Sequence, residues 1–149
     1  MTFLNWWQQQ PQSEDYHPVV EGQLMAIASS SEELVTVNTV RRDLDRALHS
    51  KGADPAGVLQ ANRALEDEIL DSSSYELTRS LNPQLPRGAV LTHQALPKPA
   101  QEGLTAGLLR ARYDLEGAEI TAEDQTQRNQ QIEESVRQSG RETRKWLPW

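Results

Sequence analysis

Apolar residues recur along most of this chain at spacings of three, four and seven, the signature of helices with one narrow buried stripe. Val20, Leu24, Ile27, Leu34, Val37, Leu44 and Leu48, with Arg41 in register, trace one such stripe as far as His49. His17-Pro18 opens it with a first-turn proline, where the missing N–H matters least. Ser30 followed by Glu33 forms a capping-box pattern that divides the run into two helices or leaves one of about thirty residues. Two apolar positions per heptad is the seam of a coiled coil rather than the wider face of a globular helix.

Lys51-Gly52 then supplies a C-terminal stop, and Asp54-Pro55 an N-cap with a first-turn proline. The pattern predicts a tight helical hairpin turning at Gly52 to Asp54. Its second arm runs through Val58, Ala61, Leu65 and Ile69 and on past Tyr75 to Leu81, weakened by Ser72-Ser73-Ser74 and ended by Asn82-Pro83. Residues 83–99 form a proline-rich connector whose Ala89 to Thr92 has the composition of a short strand.

A third helix starts near Pro99 and carries Leu104, Leu108, Ala111 and Leu115. Gly103 and Gly107 lie four apart in it, each costing about 1 kcal/mol relative to alanine. Such a pair points to the close approach of another helix, or to a late helix start. Thr121 with Asp124 caps a final helix through Ile132 and Val136 toward Arg144. Its few apolar residues predict a solvated arm or a helix laid on a partner. The expected organisation is an extended aromatic arm (1–17), a helical hairpin (18–82), the connector (83–99) and a helical region with a basic, aromatic tail (100–149). The fold class is mostly α: an elongated helical hairpin plus further helices, the connector and extended aromatic termini.

Composition alters this picture in one respect. The apolar share is only 36%, against roughly 45–50% (a class that includes glycine) in ordinary soluble domains. All four tryptophans sit at the ends: Trp6 and Trp7 beside Phe3, and Trp146 and Trp149 beside Arg141, Arg144 and Lys145. These residues, with Gly103 and Gly107, are the candidate partner-binding positions. Two accounts stand for the aromatic ends, docking on another molecule or folding back on this chain's own helices. For the C-terminal tip the docking partner is another subunit or a membrane interface, where tryptophan beside basic residues is favoured.

The net charge is −7 and unevenly placed, since Arg41 is the first basic residue while Arg137, Arg141, Arg144 and Lys145 crowd the end. Opposed ends of this kind can pair between copies. An acidic chain lacks the broad basic surface that phosphate contact requires. There is no cysteine, so disulfides and thiolate metal sites are excluded. Met1 to Gln10 has neither the basic nor the apolar region of a secretory signal, and no apolar run is long enough for a membrane span.

His17, His49 and His93 are isolated, and the carboxylates at Glu66, Asp67, Glu68 and Asp71 fit a solvated helix face. No nucleophile, phosphate-cradle or metal-ligand spacing is present. The expectation is a non-catalytic interaction protein without metal or cofactor. The concrete setting is a subunit of a large homo- or hetero-oligomeric assembly, such as a bacteriophage virion (neck, portal-associated or internal protein), in the virion or cytoplasm. The alternatives are a small adaptor that binds one partner and a peripheral membrane protein held by its C-terminal tip.

Overall fold

The computed structural model describes residues 1–16, 37–86 and 95–149. The predicted stripe from Val20 to Leu34, its Ser30–Glu33 cap and the Ala89–Thr92 strand lie outside them, as do His17 and His93. Among the described residues the fold is mostly helical and no strand occurs. The α-helices are α1 (Phe3–Gln8), α2 (Val37–Ser50), α3 (Pro55–Leu70), α4 (Ser74–Leu81), α5 (Lys98–Glu116) and α6 (Gln125–Arg144), with a 3₁₀ turn at Pro11–Asp15.

The turn between α2 and α3 has the predicted chemistry. Gly52 takes φ +97°, and Asp54 caps α3 by accepting the Gly57 N–H at 2.8 Å, with Pro55 next in line. The two helices do not close into a tight hairpin, however. Each leaves the turn for a different neighbour: α2 packs on α5 through Val37, Val40, Leu44 and Leu48, and α3 packs along α6. Val40, not Arg41, is the buried member of the α2 stripe.

The predicted long second arm is two helices. Asp71 sits in the left-handed region at φ 58° and ends α3. Ser73 then caps α4 by accepting the Glu76 N–H at 3.1 Å. Glu66 reaches forward to take the Ser74 N–H and hydroxyl at 3.1 and 2.8 Å. The serine triplet is therefore a helix boundary, because serine competes for backbone donors better than it propagates a helix.

Helix α6 departs furthest from expectation. It is the central helix, in contact with both α3 and α5, and its partner is its own chain. The buried face is Asn129, Ile132, Val136, Ser139, Gly140 and Thr143, a helical stripe made largely of small and polar side chains. Each polar member has a partner: Asn129 donates to Asp54 Oδ1 at 2.9 Å, Ser139 Oγ to Asp114 Oδ2 at 2.8 Å and Thr143 Oγ1 to the Ser139 carbonyl at 2.9 Å. Small residues bring the backbones close, so dispersion and hydrogen bonds do work that large apolar chains do elsewhere. A Cβ on Gly140 would lie 2.8 Å from Cβ of Glu68, and one on Gly57 2.3 Å from Oδ1 of Asn129. Asp124 rather than Thr121 is the N-cap, accepting the Gln127 N–H at 3.1 Å.

Two predictions follow from this packing. Gly140→Val forces a branched side chain against the rigid root of Glu68 and should cost about 1–3 kcal/mol, read as a lower urea midpoint at unchanged slope. The hydrogen bonds from Gly57, and then from Asn129, hold the Asp54 carboxyl below its ordinary value of 3.8. A lowered folded value means the unfolded chain binds the proton more readily, so this contribution is complete above 3.8 and disappears as pH falls through the folded value. Urea unfolding across that acid range should therefore show a shallower loss of stability in Asp54→Asn than in the wild type.

Candidate interaction site

The two chain ends meet within one molecule. Thr2 caps α1 by accepting the Asn5 N–H at 3.2 Å, and Phe3 and Trp7, one turn apart, are buried. A six-residue helix is not stable by itself; α1 exists because these rings are docked. The expected extended arm is thus a helix followed by a 3₁₀ turn. Tyr16 closes the segment: its ring stands edge-on to Trp7 at 6.4 Å, its hydroxyl donates to the Ala95 carbonyl, and Asn82 donates to it at 3.0 Å. Burial pushes the Tyr16 hydroxyl above its usual value, the Asn82 bond opposing.

At the other end, α6 stops at Arg144 and the chain turns so that Trp149 is buried. Its ring is T-shaped to Phe3 at 4.8 Å and tilted on Trp6 at 5.2 Å, with its indole N–H donated to the Ile69 carbonyl at 2.7 Å. The ring lies over Gly103, where a Cβ would stand 2.9 Å from its Cη2. Gly107 likewise makes room for Ile69 and Leu65, with contacts of 3.2–3.4 Å to a Cβ there. At Gly107 the close approach is that of another helix, α3, whereas at Gly103 it is that of the C-terminal tail, and α5 has already started at Lys98.

Arg144 joins all of these parts. Its guanidinium donates to the carbonyls of Glu68 and Ile69 at 3.1 and 3.2 Å, to that of Met1 at 2.6 Å and to that of Trp149 at 3.1 Å. It also pairs with Asp71 at 2.8 Å. The cation thereby satisfies carbonyls at the C-terminal end of α3, where the helix dipole favours positive charge. A planar fork with five donors suits this arrangement, and lysine does not.

The rest of the basic tail is engaged too. Arg137 pairs with Glu68 and Glu133 at 3.3 and 3.0 Å, and Arg141 with Glu68 and Glu134 at 3.5 and 3.1 Å. Lys145 pairs with Glu142 at 2.9 Å. Glu66, Glu68 and Asp71 are accordingly capping and pairing groups, not a merely solvated face. The basic stripe seen in the sequence is largely neutralised inside the fold.

Of the residues predicted to touch partners, Phe3, Trp7, Gly103, Gly107 and Trp149 are buried against this chain and Trp6 is half-buried. Arg141 and Lys145 remain on the surface within ion pairs. Trp146 alone of the tryptophans stands out, 85% exposed, held between Arg144 and the docked Trp149. Met1, 68% exposed, is tied to the same end through its carbonyl.

Sequence reasoning missed the groove beside this clasp of the two chain ends, of about 740 Å³, formed by Trp6, Trp7 and Tyr16 from one end and Leu96, Pro97 and Pro99 from the connector. Asp15, Glu102 and Lys98 also line it. The aromatic residues of the first segment and the prolines of the second were visible beforehand, but their meeting was not. Among the described residues no cluster of three or more potential ligands for a metal occurs, and no helix is long and apolar enough to cross a membrane.

Replacing Arg144 by methionine keeps the aliphatic stem and strands several carbonyls. Arg144→Met should cost roughly 3 kcal/mol, the scale of charge-assisted hydrogen bonds, and shift tryptophan emission to the red as Trp149 and Trp6 gain water. Arg141→Met, which removes a half-exposed cation and leaves Glu68 paired with Arg137, should cost under about 1 kcal/mol and leave the emission in place. Equal losses in the two variants would refute the central position given to Arg144.

No protein-family model, curated protein or solved structure matches the chain.

Proposed function

We propose that this chain is a non-catalytic interaction protein, a subunit of an assembly that includes further copies of itself, and that Trp146 is the anchor of the contact. One observation carries the reading. Trp146 is 85% exposed, yet its neighbours on both sides are fixed, Arg144 by carbonyls and Trp149 by burial. A large amphipathic ring displayed on a rigid turn loses little conformational freedom on binding. Tryptophan is also among the residues that dominate interface energies. The engagement of Glu66, Glu68 and Asp71 in capping and ion pairing supports the non-catalytic part of the reading. A bacteriophage virion component is the concrete setting proposed, on the strength of a small cysteine-free chain with aromatic ends.

A peripheral membrane role has Lys145, exposed beside Trp146, in its favour. The pairing of Arg137, Arg141 and Arg144 with carboxylates weighs against it, because attraction to anionic lipid needs unspent positive charge. Deleting residues 137–149 does not separate these readings, since it removes part of the central helix.

The test is sedimentation velocity of the wild type and Trp146→Ser from about 1 to 100 µM, the range in which interfaces of moderate affinity form. The wild type should rise in mass with concentration. Trp146→Ser should move that rise at least about tenfold higher, as loss of a hot spot does, with an unchanged melting temperature. A wild type that stays monomeric throughout overturns the reading. Co-sedimentation with anionic vesicles that Trp146→Ser abolishes would favour the membrane role instead.

A further inference from the structure

We propose that the groove between the N-terminal segment and the connector is a docking site for an extended, proline-containing segment of another protein that carries a basic side chain. Trp146 does not line this groove, so the inference stands apart from the proposed self-assembly.

The groove is walled by stiff side chains. Trp6, Trp7 and Tyr16 are fixed by one another and by Phe3, with ring centroids 5.9–6.4 Å apart. Pro97 and Pro99 face them from the start of α5. Neither proline has a backbone N–H, so an incoming segment cannot add to this edge as a strand does. What the walls offer is flat ring surface, and the peptide form that fits aromatic grooves is the polyproline II helix. Such a segment is already extended when free, which keeps the entropy lost on docking small.

Two further features point to a ligand. Trp7 is 5% exposed, and its indole N–H has no acceptor among the described residues. Buried indole N–H groups ordinarily find one, and a peptide carbonyl lying in the groove supplies it. Among the described residues that line the groove, Asp15 and Glu102 set two carboxylates against one ammonium, that of Lys98. That imbalance selects arginine or lysine beside the prolines and disfavours an acidic segment.

The experiment uses the full chain and three synthetic octapeptides: Arg-Ala-Leu-Pro-Pro-Leu-Pro-Arg, its analogue with both arginines changed to glutamate, and its analogue with every proline changed to alanine. Binding is read from indole N–H shifts in NMR titrations and by calorimetry. The first peptide should bind with a Kd on the order of 100 µM or tighter and shift the Trp7 indole resonance, and each analogue should bind at least about tenfold more weakly. Tryptophan substitutions here endanger folding, so the second arm is the surface variant Asp15→Lys with Glu102→Lys. It should fold normally and prefer the glutamate peptide to the arginine one. No indole shift up to about 1 mM peptide, equal binding of all three peptides, or an unchanged preference in the double variant would overturn the proposal.

Discussion

The fold depends on one cation. Arg144 is the last residue of α6 and lies where α3 ends and where both ends of the chain arrive, and its guanidinium bonds to carbonyls of α3 and of both ends. Those carbonyls have no helical partner, being at helix ends or beyond them, and they need a donor from elsewhere. Without it the Trp149 ring is held over Gly103 by its indole hydrogen bond and ring contacts alone. Without that ring, Phe3 and Trp6 lose the surface that stabilises α1. Aromatic burial and charge-assisted hydrogen bonding are therefore coupled here, and neither explains the closed ends alone.

A second constraint lies at the opposite end of α6. Asp54 caps α3 and simultaneously accepts from Asn129, while Gln125 bonds both Asn129 Oδ1 and the Gly52 carbonyl at 2.9 Å. Lys51 reaches the carbonyls of Glu116 and Ala118, the end of α5, at 3.3 and 2.8 Å. The turn that the sequence marks so clearly is thus more than a reversal of direction. It is a polar joint linking α2, α3, α5 and α6. Between joint and clasp the helices approach closely over glycine, alanine and serine, which is how a chain of low apolar content buries a continuous core.

This arrangement also separates what is spent from what is left over. Charges that look like a binding face in the sequence are matched across α3 and α6. Rings that look like docking anchors fill the junction of the ends. Among the described residues, what is left at the surface includes a displayed Trp146 and an aromatic and proline groove lined by Asp15 and Glu102. Function is sought there because rigid surroundings have already met the ordering cost.

Local chemistry could be read directly. Gly52, Asp54-Pro55 and Asn82-Pro83 act through bonds to residues within a few positions, so the helix boundaries they mark stand as sequence signals, while the start of α6, expected at Thr121, lies at Asp124. Even the boundary at Ser73 was present as a serine three residues before Glu76, though the apolar periodicity on either side obscured it. The glycines of α5 left a close approach and a weak or late-starting helix both open. By contrast, α6 read as an arm because counting large apolar residues overlooks a face of Asn129, Ser139, Gly140 and Thr143. Residues 144 and 1, or 149 and 69, are joined by contacts that no local pattern encodes. By itself the sequence marked the helix ends at Gly52, Asp54-Pro55 and Asn82-Pro83, and posed the question of what covers Phe3, Trp7 and Trp149, because those are matters of neighbouring residues and of water. Only the tertiary structure decided that the ends cover each other, because that depends on how closely α3, α5 and α6 pack and on one guanidinium placed between them.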